Sequence, residues 1–386
     1  MDALGLARLQ FAVTTSFHFL FVLLTLGLVT LVAVTQTRAA LSGDPVHARM
    51  TRFWGRIYVV NYALGIATGI VVEFQFGLNW SGLSHYAGDV FGAPLAIETL
   101  VAFFLESTFL GLWIFGWDRL NRWVHLALIW LTALTAYASA LWIMVANAFL
   151  QHPVGHEERD GVLRLVDFSA LVANPLFTTA FGHVVLAALT VGGVFVTGVS
   201  AYHFVKRTTE VDFFRRSLRL GVVVTALATP ALTGLGFAQF PVLARFQPTK
   251  VADAGAGAVG LGFMVQIGFL LTLVSWATLP LLFRDWVVRL RFPLYLMVIG
   301  IPLPFVAAVG GWVFREMGRQ PWLVYGLLRT EDAVSAVSRD AMLFSFVAFT
   351  AVFVVLAVAD WVLIARLVRR GPVDEPVPVS PLVPAL

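Results

Sequence analysis

The sequence predicts an all-α, polytopic membrane protein of nine transmembrane helices, and three observations carry that reading. Charged residues are 12% of the chain and hydrophobic ones 59%, whereas a soluble domain is about 25% charged. The mean hydropathy is +0.85. The apolar residues also fall into nine runs near 14–36, 54–76, 93–116, 124–149, 178–204, 217–238, 258–283, 292–314 and 341–367, each about the ~20 residues that a helix needs to cross a bilayer. Residues 1–370 thus form one transmembrane domain, and "GPVDEPVPVSPLVPAL" at 371–386 reads as a Pro-rich, disordered tail. The net charge of +4 lies in short loops between apolar runs, which does not suggest nucleic acid as a partner. The first run lacks a basic n-region and is long enough to span, so it reads as a helix and not as a cleavable signal peptide.

Lys and Arg counts set the orientation. With the N-terminus outside, the cytoplasmic segments hold seventeen of the 26 basic residues, mostly in the loops after helices 1, 5 and 7 and at the C-terminus. N-out, C-in is therefore expected. Odd-numbered helices then run inward and even-numbered ones outward.

Each run gains its meaning from depth. Helix 1 carries His18 a few residues in, helix 2 ends near Glu73, and helix 3 carries Glu98 near its start and Glu106 near mid-membrane. Helix 5 places His183 and helix 7 places Met264 at matching depth, and "GRQPW" at 318–322 follows helix 8. Polar and ligand-type groups from six helices thus share the outer half of the membrane. His47, His85, His125, His152, His156 and His203 lie at loop or interfacial positions and take no role.

Glu98 and Glu106 are eight residues apart, a little over two turns and about 12 Å along a helix axis. An ionisable group at that depth costs on the order of 3 kcal/mol or more and usually marks a proton or ion path. No Arg lies mid-span to pair with them. A relay from Glu106 to Glu98 would bring protons from the cytoplasm toward the outer face. Asp118, in "FGWDRL", reads as an interfacial charge.

The chain has no cysteine, which excludes disulfides, Cys-ligated iron–sulfur clusters and thioether-linked haem. A haem iron within the membrane could be held by His18, His183, Met264, Glu98 or Glu73. A His/Met pair gives a six-coordinate, low-spin iron suited to electron transfer, and a lone His leaves an open position. Against this, an intramembrane His is more often a hydrogen-bonded packing residue and a Met is ordinary core.

Longer motifs narrow the reading. "ARLQFAVTTSFHFLFVLLTLGL", "NYALGIATGIVVEFQFGLNWSGLSHYAGDVFGAPLAIE", "FFLEST", "GWDRL", "SALWIMVANAFLQHP", "GIPLP" and "GWVFREMGRQPW" resemble subunit I of cytochrome bd oxidases. The resemblance runs from residue 5 to about 325. It implies His18 as axial ligand of an active-site haem, and His183 with Met264 as the ligands of a low-spin haem b. It further implies Glu98 beside or on the oxygen-reactive haem, Glu106 and Ser139 on a proton path, and Arg8, Arg319 and Trp322 around haem propionates and the outer surface. Cofactors would be that haem b and one or two active-site haems, b and/or d. Partners would be dioxygen, quinol or another electron donor, the lipid bilayer and a second membrane subunit, in a bacterial or archaeal cytoplasmic (inner) membrane.

Three departures stand out. Val309 occupies a position where the resemblance leads one to expect a haem-ligating Glu, with Glu316 matching a different Glu of the motif. Gly262 replaces an Arg two residues before Met264. The outer loop that binds quinol is cut to roughly 239–257, where Lys250 matches a quinol-loop Lys but Gly255 replaces a Glu. The function expected is a terminal oxidase subunit reducing dioxygen to water with electrons from quinol or a non-standard donor. The alternative is a divergent non-catalytic or electron-transfer paralogue that keeps the low-spin haem beside a catalytic homologue. A proton-coupled transporter explains the acids but not the His/Met placement.

Overall fold

The computed structural model describes residues 1–252, 255 and 257–372. Nearly all of the expected tail, from residue 373 on, lies outside the described residues. In chain order the elements are α1 (Ala3–Ser42), α2 (Pro45–Leu78), α3 (Ser81–Ile97), a π-helical turn (Glu98–Phe103), α4 (Phe104–Phe115) and α5 (Arg122–Gln151). A hairpin of β1 (His156–Arg159) and β2 (Val162–Leu165), then α6 (Phe168–Val172), lead into α7 (Pro175–Val205) and α8 (Val211–Phe246). There follow α9 (Pro248–Ala252), α10 (Gly257–Thr278), a 3₁₀ segment (Pro280–Asp285), α11 (Trp286–Arg289), α12 (Arg291–Ile299) and α13 (Leu303–Met317). The chain ends with β3 (Trp322–Val324), β4 (Leu328–Arg329), α14 (Thr330–Ala333) and α15 (Arg339–Arg370). Among the described residues nine helical spans are long and apolar enough to cross a membrane, matching the nine runs.

The helices outrun their apolar stretches because caps, not hydropathy, stop them. Asp2 caps α1 through the Gly5 amide at 2.8 Å, Asp44 caps α2 through Val46 at 2.9 Å, and Asn174 caps α7 through Leu176 at 3.0 Å. Each accepts from an amide that the first turn leaves unpaired. Two expected spans are broken. The run 258–283 stops as a helix at Thr278, since Pro280 has no amide hydrogen and Arg284 and Asp285 turn the chain at positive φ. The run 292–314 is interrupted at Gly300–Pro302 between α12 and α13.

The two most enclosed spans are α1 and α7. They approach so closely at Gly27 and Gly192 that a Cβ on Gly192 would lie 2.8 Å from the Gly27 Cα, the small-residue contact that lets membrane helices pack. By contrast α15 leaves Phe344, Trp361 and Val355 exposed on its outward faces.

At one end, an ion network joins the α1–α2 turn, the start of α8 and the 3₁₀ segment. Asp44 pairs with Arg216, Arg216 with Asp212 at 2.8 Å, Arg219 with Asp285 at 2.8 Å, and Arg49 with Glu210 at 2.9 Å. Asp118 is exposed and pairs with Arg52 at 3.5 Å.

Candidate functional site

Two cavities share one wall. The first lies among α7, α8, α10 and α13. The second lies among α1, α2, the α3–α4 span and α5. Trp312, Phe19, Met144 and Val184 line both.

In the first cavity, His183 from α7 and Met264 from α10 are both wall residues. His183 Nδ1 is 3.0 Å from the Leu232 carbonyl oxygen. A carbonyl only accepts, so Nδ1 carries the hydrogen and Nε2 keeps its lone pair for a metal. Gly236 sits so near that an added Cβ would be 3.1 Å from the imidazole Cε1. The helix that supplies Leu232 tolerates Pro230 because the Ala226 carbonyl, deprived of its helical donor, accepts from Trp276 Nε1 at 2.9 Å.

The charged end of this cavity holds Lys250 and Arg315. Lys250 matches a quinol-loop Lys and was expected in the stub of the outer loop. Instead it is 2% exposed. Its ammonium donates to the Arg315 carbonyl at 2.8 Å and Gln151 Oε1 at 3.2 Å and lies 5.2 Å from the Phe314 ring centroid. Burial, with the Arg315 charge adding to it, holds its pKa well below the usual lysine range. The reason is local: α8 continues to Phe246 and α9 follows at Pro248, so the chain folds Lys250 back into the bundle. Gly255 is exposed.

The second cavity gathers His18, Glu73, Glu98, Glu106 and Ser139. His18 Nδ1 is 2.9 Å from Thr68 Oγ1. The Thr68 hydroxyl donates to the Gly65 carbonyl at 2.7 Å, so its oxygen accepts from Nδ1–H and His18 Nε2 is left free. Ser139 donates to Glu98 Oε1, and Thr99 Oγ1 lies 3.1 Å from Glu98 Oε2 and 3.3 Å from Glu73 Oε1. A single threonine hydrogen serves one of those oxygens, so the chain is bonded throughout when one carboxyl carries a proton.

Glu106 is 5% exposed and forms no hydrogen bond among the described residues. The π turn between the two acids changes their relation. Eight α-helical residues overshoot two turns by about 80°, whereas one i→i+5 turn absorbs a residue and leaves them about 20° short. Glu98 and Glu106 therefore align better than the spacing alone implied.

Behind the second cavity, Asn147 joins the groups from α13. Arg315 Nε donates to Asn147 Oδ1 at 2.5 Å, and Asn147 Nδ2 donates to Glu316 Oε1 at 3.0 Å. Arg319 is 2% exposed, lines this cavity, pairs with Glu316 Oε2 at 2.5 Å and donates to the Leu323 carbonyl at 2.8 Å. Val309 is not among the wall residues of either cavity, although Ala308 and Gly311 beside it line the first. Glu316, two turns further along, is the α13 carboxylate beside the second cavity. Arg8 is exposed on α1, and Trp322 packs on Arg329 at 5.7 Å; neither lines either of these two cavities. His203 bonds the Val368 carbonyl at 2.8 Å and stacks on Phe214, a packing role.

Thr68, Thr99, Asn147, Arg315 and Trp312 were not singled out from the sequence. The signal for Trp312 and Arg315 was their place in "GWVFREMGRQPW"; the others bear no mark without coordinates. Among the described residues no group of three or more His, Cys, Asp or Glu could hold a bare metal ion. One or two protein ligands facing a large apolar space instead fit iron already held by a macrocycle.

Comparison with known proteins agrees. The family described as "Cytochrome bd terminal oxidase subunit I" matches residues 6–259 and 256–372, two stretches that meet at the shortened loop. The chain is 36% identical to cytochrome bd ubiquinol oxidase subunit 1 of Bacillus subtilis, covering 96% of this chain and 94% of that protein. It is 31% identical to cytochrome bd-II ubiquinol oxidase subunit 1 of Escherichia coli, with 96% and 97% covered. The bd oxidase structure from Geobacillus thermodenitrificans superposes with a TM-score of 0.90 at 25% identity, over 96% of this chain and 99% of that one. A nine-span bundle with two histidine-bearing cavities, matched along nearly its whole length, belongs to the cytochrome bd terminal oxidase subunit I family.

Proposed function

We propose that this chain is the haem-bearing subunit of a terminal oxidase that reduces dioxygen to water, with electrons from quinol or a different carrier and protons from the cytoplasm. His183 and Met264 hold a low-spin haem b in the first cavity. His18 holds an active-site haem in the second, where Glu98 and Glu316 are the carboxylates available to it or to a second haem, b or d. When bound, the haems supply electron transfer and the site of oxygen reduction. One observation carries this reading: each cavity is faced by an imidazole whose Nδ1 is bonded away, leaving Nε2 free.

The protein's own groups do the rest. Glu106 takes a proton from the inner side, and the aligned Glu98, bonded to Ser139 and Thr99, receives it at the second cavity. Trp312 fills the wall between the two sites. Charge bias supports N-out, C-in, with the site near the outer face of a bacterial or archaeal inner membrane. A second, smaller membrane subunit is the expected partner. The shortened loop and the burial of Lys250 favour a donor other than quinol bound in a long outer loop. Against the non-catalytic alternative stand the retained His18, Glu98 and Glu106, which a chain that does not reduce oxygen has no evident need to keep.

The test is an optical spectrum of the purified complex, reduced with dithionite and then exposed to CO. A low-spin signal plus a CO-reactive haem is expected, and Met264→Leu should turn the low-spin signal high-spin. A spectrum blind to CO, or one unmoved by that substitution, defeats the reading.

A further inference from the structure

We propose that Arg315 is a positioning residue of the first cavity: its guanidinium binds a propionate carboxylate of the porphyrin there and raises the reduction potential of the iron that His183 and Met264 would hold. The inference rests on the haem reading of that cavity, and it assigns a role to a residue that neither ligates iron nor carries protons.

The observation behind it is an unsatisfied donor. Arg315 lines the cavity, its Nε is taken by Asn147 Oδ1 at 2.5 Å, and its Nη2 is buried with no hydrogen-bond partner. A buried guanidinium nitrogen normally finds an acceptor. The adjacent carboxylate does not serve, because Glu316 turns Oε1 to Asn147 and Oε2 to Arg319. Two guanidinium groups, Arg315 and Arg319, therefore stand at this end with one carboxylate, Glu316, which is bonded to Asn147 and Arg319. That is an excess of positive charge at one end of a cavity whose remaining lining is largely Phe, Leu, Val and Ala. Such a site wants a ligand that is apolar over most of its area and anionic at one edge. A porphyrin with its propionates on one side has that form.

The effect on potential follows from charge. Reducing ferric to ferrous iron removes one positive charge from the cavity, and a fixed cation nearby in a low-dielectric medium favours the reduced state. Removing the cation, and leaving the propionate unpaired, favours the oxidised state.

The experiment is a redox titration of the low-spin absorbance band in the purified, haem-loaded complex. Arg315→Met keeps the side chain's length and removes an incompletely paired buried charge, a change that cores generally tolerate. Arg315→Gln is a second neutral variant, and Arg315→Lys keeps the charge. The neutral variants should shift the iron's reduction equilibrium at least tenfold toward ferric, about 59 mV for one electron, with the low-spin spectrum intact. Arg315→Lys should stay within threefold of the parent. An unshifted potential in whichever neutral variant assembles overturns the proposal, as does a lysine variant as low as the neutral ones. If the parent shows no low-spin His/Met signal, the haem reading has failed instead, and the two failures are told apart before any variant is made.

Discussion

Trp312 donates its indole N–H to Thr15 Oγ1 at 3.2 Å, so that a residue of α13 is pinned to α1 in the wall common to both cavities. The ring also lies 5.7 Å from Phe19 of α1. Trp312→Phe removes one hydrogen bond, about 1 kcal/mol, and should lower the thermal unfolding temperature slightly while both haem signals persist. Trp312→Ala opens the wall and should cost about 3–5 kcal/mol, slowing turnover more than it alters the low-spin spectrum. Unchanged turnover in the alanine variant would show that electrons do not need this wall.

Glu106 lines the second cavity without a hydrogen-bond partner, so Glu106→Gln leaves no group orphaned. Stability and haem content should hold. Oxygen consumption should fall by about 10²–10⁴, the usual contribution of a positioned proton donor. An oxygen-electrode assay alongside the haem spectrum checks both, and full activity in the variant removes Glu106 from the relay.

Thr68 fixes the His18 tautomer through Nδ1 at 2.9 Å. Thr68→Val keeps the shape and deletes that acceptor. Loss of such an outer partner typically weakens a histidine's metal affinity by about 10–100-fold. CO-reactive haem should therefore be lost more easily on dilution in detergent, while the His183/Met264 signal stays. Equal retention of both haems would mean that Thr68 does not matter to His18.

The Arg216 guanidinium beside Asp44, with the Val46 amide assisting, holds the Asp44 carboxyl below its usual pKa. A depressed folded-state pKa stabilises above the unfolded value of about 3.9 and loses that stabilisation as pH falls through the folded value. Asn still caps a helix, so Asp44→Asn removes mainly the charge. At pH 7 the variant should unfold at a slightly lower temperature, by roughly 1 kcal/mol or less for a partly exposed pair. The two melting curves should converge as the pH drops below 4. A gap that persists in acid would locate the effect elsewhere.

Sequence alone determined that this is a membrane bundle, how many spans it has, and which side chains could matter at the shared depth. Those properties are one-dimensional: hydropathy marks a helix that must satisfy its own backbone in lipid, and position along a span is depth. His18, His183, Met264, Glu98 and Glu106 were singled out for that reason, and the motifs named the family. Rotation about the helix axis and the paths of loops were not legible. The folded structure decided that a π turn lies between Glu98 and Glu106, that Val309 is not among the wall residues of either cavity, and that Lys250 is buried. It also decided the partners of single atoms, Thr68 on His18 and Asn147 on Arg315, because a hydrogen bond between distant helices depends on tenths of an ångström that no spacing in the chain encodes.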